Sequence, residues 1–103
     1  MVKILEKEVE GELKDYLFAI ANYIEDKYGI ILEKDILNKP KDEIKVVVWY
    51  SRRRKKPRIR IHAFEIIWKD KRELIDPYFL PRKFWYRLQK RILEIYGFAN
   101  VNS

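Results

Sequence analysis

Residues 44–68 read IKVVVWYSRRRKKPRIRIHAFEIIW, and the way this stretch pairs with itself decides the fold. Its β-branched and aromatic residues predict strands over Ile44–Tyr50 and Arg58–Trp68, joined by a basic hairpin loop over residues 51–58. The side-chain pattern sets a register, because a one-residue slip exchanges the two faces of a strand. Placing Tyr50 opposite Ile59, Val48 opposite Ile61 and Val46 opposite Ala63 makes one face uniformly apolar. Lys45, Val47 and Trp49 then meet Phe64, His62 and Arg60 on the other face, with Arg60 beside Trp49 as a cation-π pair. A one-residue slip would press Val48 against Arg60, which a buried face does not tolerate. Past Ala63 the apolar residues Phe64, Ile66 and Trp68 change face. This predicts that another element, the C-terminal helix or a second subunit, covers that end of the strand.

The same stretch holds the excess charge. Residues 51–60 contain seven Lys or Arg and no acid, and the net charge of the 103 residues is +7, so the rest of the chain sums to zero. Residues 1–43 carry −4 and residues 44–103 carry +11. Such a division predicts an anionic partner for the second part.

Working outward, Val9, Leu13, Leu17, Ile20, Ile24 and Tyr28 recur at helical spacing and predict a helix from about Glu8 that ends at Gly29. Val2–Leu5 reads as either a short strand or an arm. Ile30–Leu32 follows a glycine and carries a strand signal, leaving open whether the sheet has two strands or three. Lys69–Leu80 reads as a polar connection with a turn at Asp76-Pro77. From Pro81, the residues Phe84, Leu88, Ile92 and Ile95 repeat at helical spacing up to Gly97, and residues 98–103 read as a flexible tail. This last helix is basic, and Lys83, Arg87 and Arg91 form a ridge along one face. The predicted architecture is a single α+β domain over residues 1–103: a helix, a small antiparallel sheet of two or three strands with a long basic hairpin, and a C-terminal helix. A two-stranded sheet is marginal alone, so a homodimer is expected.

Composition narrows the chemistry. With 48% hydrophobic residues the chain is too apolar to be disordered. Without cysteine it has no disulfide, thiolate metal site or cysteine nucleophile. The longest apolar run, Tyr16–Ala21, is too short to cross a membrane, and Met1–Ile4 is followed at once by Glu6, Glu8, Glu10 and Glu12 rather than by a signal-peptide core. A cytoplasmic protein with no membrane partner is expected. The abundance of Lys, Arg, Glu, Ile and Tyr, with one Gln and no Cys, follows the trend of proteins from hot environments. In this composition the chain resembles the small orphan proteins of hyperthermophilic archaeal viruses, which implies the host cytoplasm as its location.

Three glycines, at 11, 29 and 97, make no phosphate cradle. In the chosen register Ser51 lies near Arg58 and His62 opposite Val47, so a serine nucleophile with a histidine base is not expected and His62 reads as a surface strand residue. Glu43-Ile44-Lys45, following Glu33 or Asp35, has the acid and acid-x-Lys outline of Mg²⁺-dependent nucleases. With the helix, strands, helix order, these residues resemble the restriction-endonuclease-like core, which would make Glu33, Asp35, Glu43 and Lys45 catalytic. The helix, three strands, helix order also resembles double-stranded RNA-binding domains, whose lysine-rich signature at the second helix is met loosely by Arg82-Lys83.

The hairpin carries the leading expectation: a protein that binds DNA or RNA through phosphates, with low sequence specificity and no cofactor. Arg52, Arg53, Arg54, Lys55, Lys56, Arg58 and Arg60 would make the primary contact, Trp49 would stack on bases, and Arg82, Lys83, Arg87 and Arg91 would add a second surface. Arginine dominates the run, and its planar fork suits phosphate. Asparagine occurs only at 22, 38, 100 and 102, which favours backbone contact over base readout. Two alternatives stand beside this reading: an assembly or inhibitor protein docking on an acidic protein partner, and the nuclease.

Overall fold

The computed structural model describes residues 3–52 and 59–96. Four strands, β1 (Leu5–Val9), β2 (Lys45–Arg52), β3 (Ile59–Trp68) and β4 (Lys71–Ile75), form one antiparallel sheet in the order β1-β2-β3-β4. The helices α1 (Gly11–Tyr28) and α2 (Arg82–Tyr96) complete the α+β architecture. The sheet therefore has four strands where two or three were expected, and Ile30–Leu32 is not one of them.

The two extra strands come from stretches with little apolar pattern. In β1 the residues Leu5 and Val9 face the core while Glu6 and Glu8 face away, paired with Trp49 and Val47. Residues 8 and 9, read from the sequence as the first turn of the helix, belong to this strand. The helix starts at Gly11, whose φ of 64° makes the turn from strand to helix. β4 arises from the expected polar connection: it pairs from Phe64↔Ile75 to Trp68↔Lys71, and its charged Lys71 and Arg72 suit a sheet edge. With four strands, the argument for dimerisation from a marginal two-stranded ribbon no longer applies.

Ile30–Leu32 is held by side chains instead of by a strand partner. The Ile31 N–H donates to the Glu25 carboxylate at 2.7 Å, and the Leu32 and Glu33 N–H groups donate to the buried Glu73 carboxylate at 3.1 and 3.2 Å. The expected end of α1 is present: Gly29 is left-handed at φ 62° and its N–H donates to the Glu25 carbonyl at 2.9 Å.

The hairpin register departs from the expected one, by two residues near the tip and three further in. Tyr50 pairs with Ile61, Ser51 with Arg60 and Arg52 with Ile59, whereas Trp49 pairs with Ala63, Val48 with Phe64 and Val46 with Ile66. Two residues of β3, Ile61 and Ala63, thus stand opposite neighbours on β2, and His62 is the extra residue of a β-bulge. The bulge resets the alternation. Ile59 and Ile61 before it, and Phe64 and Ile66 after it, all join the core on the side of Val46, Val48 and Tyr50. The apparent change of face past Ala63 is this bulge, and it requires no covering element.

Both helices pack on that single face. Leu13, Leu17, Ala21 and Ile24 of α1 and Trp85, Leu88 and Ile92 of α2 share one core with the sheet, each large aliphatic contributing about 1.5–3 kcal/mol by burial. Phe84 of α2 stacks on Tyr23 and meets Tyr28 edge-on, fastening α2 to α1. No described helix is long and apolar enough to cross a membrane.

Candidate nucleic-acid interface

The site follows from where β4 leaves β3. Pairing between them begins at Phe64, so among the described residues no strand lies beside Ile59–His62 on that side. The chain leaving β4 turns at Asp76, whose carboxylate accepts from the Tyr78 N–H at 2.9 Å, and a short 3-10 turn over Pro77–Phe79 leads into α2. Between the open edge of β3 and α2 lies a cleft of about 580 Å³. Ile59, Arg60, Ile61 and His62 all line it. Consecutive strand residues point to alternate faces, so four in a row reach one cavity only when the strand presents its edge.

The opposite wall is helical. Arg82, Tyr86 and Gln89 share one stripe of α2, with Trp85 and Leu80 buried behind them. The Arg82 guanidinium lies over the Tyr86 ring, 5.6 Å from its centroid, and donates to its hydroxyl through Nε at 3.3 Å and Nη2 at 3.2 Å. Arg60 and Arg82 thus line one cleft from a strand and a helix, and none of the described residues lining it is acidic. Arg60 belongs to the hairpin whose basic connection starts two residues earlier, at Arg58.

His62, the bulge residue, also lines the cleft. Its Nε2 and the Ser51 Oγ are 2.7 Å apart, a contact that the expected register placed out of reach and the bulge brings together. Burial, and then the charge of Arg60, hold the His62 pKa below its ordinary value. Ser51 is only 2% exposed. Its hydroxyl braces the bulge from inside the sheet rather than presenting a nucleophile to the cleft.

Arg52 is exposed at the end of β2, while Arg53, Arg54, Lys55, Lys56 and Arg58 lie outside the described residues. Trp49 sits on the sheet face turned away from the helices, opposite Ala63 and Glu6, and not opposite Arg60 as expected. Lys83 and Arg87 are exposed on α2, about one residue's rotation from the cleft stripe. Arg91 is paired with Glu94 at 3.4 Å and Glu12 at 4.0 Å.

Of the nuclease residues, Glu33 pairs with Lys71 at 3.8 Å, Asp35 and Glu43 are exposed on separate 3-10 turns, and Lys45 opens β2. Among the described residues no three Asp, Glu or His groups are grouped to hold a metal ion. Tyr86, Trp85 and Gln89 went unread in the sequence. The available signal was their spacing from Arg82, three, four and seven residues on. No protein-family model, curated protein or solved structure matched the chain.

Proposed function

We propose that the protein binds nucleic acid, chiefly through the phosphate backbone and with low sequence specificity. The observation that carries this reading is the convergence of Arg60 and Arg82 in an acid-free cleft at the base of the basic hairpin. Arg60 and Arg82, far apart in sequence, thereby flank one concave surface, and in sequence the connection between β2 and β3 carries five further positive charges, Arg53, Arg54, Lys55, Lys56 and Arg58. A cationic concavity of this kind raises the local concentration of a polyanion and releases counterions when it binds. The small polar residues that read base edges in a duplex groove are scarce, which supports backbone contact.

Anisotropy titrations of labelled single- and double-stranded DNA and RNA test this, using wild type and the triple variant R52A/R53A/R54A. Binding at low salt that weakens in the variant is the expected result. Absence of binding to every probe at about 50 mM salt, where phosphate contacts are strong, would refute it. An acidic protein partner would then become the leading reading, since complementary potentials suit that too.

A further inference from the structure

Resting on the nucleic-acid reading, we infer that the cleft between the β3 edge and α2 accepts an unpaired nucleotide, so that the protein prefers single strands to duplexes.

Three features of the cleft point to a base and its phosphate together. First, Tyr86 is 54% exposed on the cleft wall, and Arg82 holds it from one side through its ring and its hydroxyl. A ring held in place with an accessible surface is a stacking platform that loses little side-chain entropy when a base settles on it. Second, the stretch of β3 from Ile59 to His62 presents a strand edge to the cleft, and a strand edge is a row of backbone donors and acceptors. Such a row matches the hydrogen-bonding edge of a nucleobase, and the Gln89 amide adds both a donor and an acceptor. Third, Arg60 and Arg82 bracket this polar edge with positive charge and no lining acid opposes them. The volume, about 580 Å³, falls within the range of roughly 300–1,000 Å³ for small-ligand sites.

A duplex can meet the positive charge with its phosphates, but not the stacking platform or the strand edge without disruption. Its bases are stacked and paired, and extruding one costs a few kcal/mol. A single strand presents free ring faces and edges from the start. Phosphate contacts then supply affinity for either form, and the cleft supplies the preference for an unpaired base.

The test compares wild type, Tyr86→Ala, Tyr86→Phe and R52A/R53A/R54A against oligothymidylate, oligouridylate and a mixed-sequence duplex of matched length. Circular dichroism confirms that each variant is folded. Wild type should favour the single strands. Tyr86→Ala should lose about tenfold in affinity for them, as expected for one stacked base, and clearly less for the duplex, which feels only the release of Arg82. Tyr86→Phe should stay close to wild type, and the hairpin variant should lose affinity for every probe. Equal effects of Tyr86→Ala on single strand and duplex, or no effect on either, would overturn the inference while leaving nucleic-acid binding intact. Displacement of oligothymidylate by polyglutamate at equal charge would overturn it as well, because charge alone would then fill the cleft. Failure of wild type to bind any nucleic acid would remove both the inference and the reading beneath it.

Discussion

Deletion of His62 should leave the protein folded and moderately destabilised, although it removes a residue from the middle of the longest strand. The structure makes His62 the extra residue between Ile61 and Ala63, whose partners Tyr50 and Trp49 are adjacent on β2. Without it, Ile59, Ile61, Phe64, Ile66 and Trp68 fall on strictly alternate positions, and the ladder runs on without interruption. The loss is the Ser51–His62 hydrogen bond, and because Ser51 is buried its hydroxyl is left without this partner, a cost of about 1–3 kcal/mol. Were β3 an unbulged strand, the same deletion would turn one end of it over. Phe64 and Ile66, both 0% exposed, would then leave the core at a cost of about 3–5 and 2–5 kcal/mol on the scale of core truncations. That sum rivals the roughly 5–15 kcal/mol total stability of a domain. Urea unfolding separates the two cases: with a slope of about 1–3 kcal/mol per molar, the bulge account predicts a midpoint shift of roughly one molar. Deletion of Glu65, in the regular part of the ladder between Phe64 and Ile66, serves as the contrast and should abolish cooperative unfolding. Loss of folding on deletion of His62 itself would refute the bulge.

Further expectations follow from individual contacts. His62 is the sole histidine, so its imidazole signal can be titrated by NMR without ambiguity. Burial and the neighbouring Arg60 charge place its midpoint below the ordinary 6.5, and Arg60→Ala should move it upward; a wild-type midpoint at or above 6.5 would contradict this. Because the folded pKa is depressed, the unfolded chain takes up the proton first. The stability contributed by neutral His62 is therefore intact above about pH 6.5 and is lost as pH falls through the depressed value. Glu73→Ala should cost about 2 kcal/mol, since one carboxylate accepts two backbone N–H groups and water can replace it only in part. Hydrogen exchange should then lose protection at the Leu32 and Glu33 amides first, whereas unchanged protection there would refute the bracing role of Glu73.

What the sequence reveals here depends on whether a feature is local. The α1 stripe from Leu13 to Ile24 and its stop at Gly29 are periodic and self-contained, and both are present. The two hairpin strands are visible in their β-branched residues, but their register is not, because His62 breaks the alternation on which register was judged. β1 and β4 escaped notice for another reason. Each is an edge strand with three consecutive charged residues, and each is stabilised by backbone pairing, β1 to the distant β2 and β4 to the adjoining β3 across a two-residue turn, rather than by an apolar pattern of its own. The cleft is equally non-local. Arg60 and Arg82 are legible as parts of basic segments, but their meeting depends on β4 ending its pairing at Phe64, and Tyr86 gains significance only from that meeting.

The most direct test of the account is the salt dependence of nucleic-acid affinity in wild type and in the double variant R60A/R82A, whose two changes lie 22 positions apart in sequence on opposite walls of the cleft. Each phosphate contact contributes roughly −0.9 to the slope of log affinity against log salt on duplex and about −0.7 on single strands. If the cleft and the hairpin act as one phosphate-binding surface, five contacts give a wild-type duplex slope near −4.5, and the double variant should bind with that slope reduced in magnitude by about 1.8. An unchanged slope in R60A/R82A, with the variant folded, would contradict the claim that Arg60 and Arg82 form part of the contact surface.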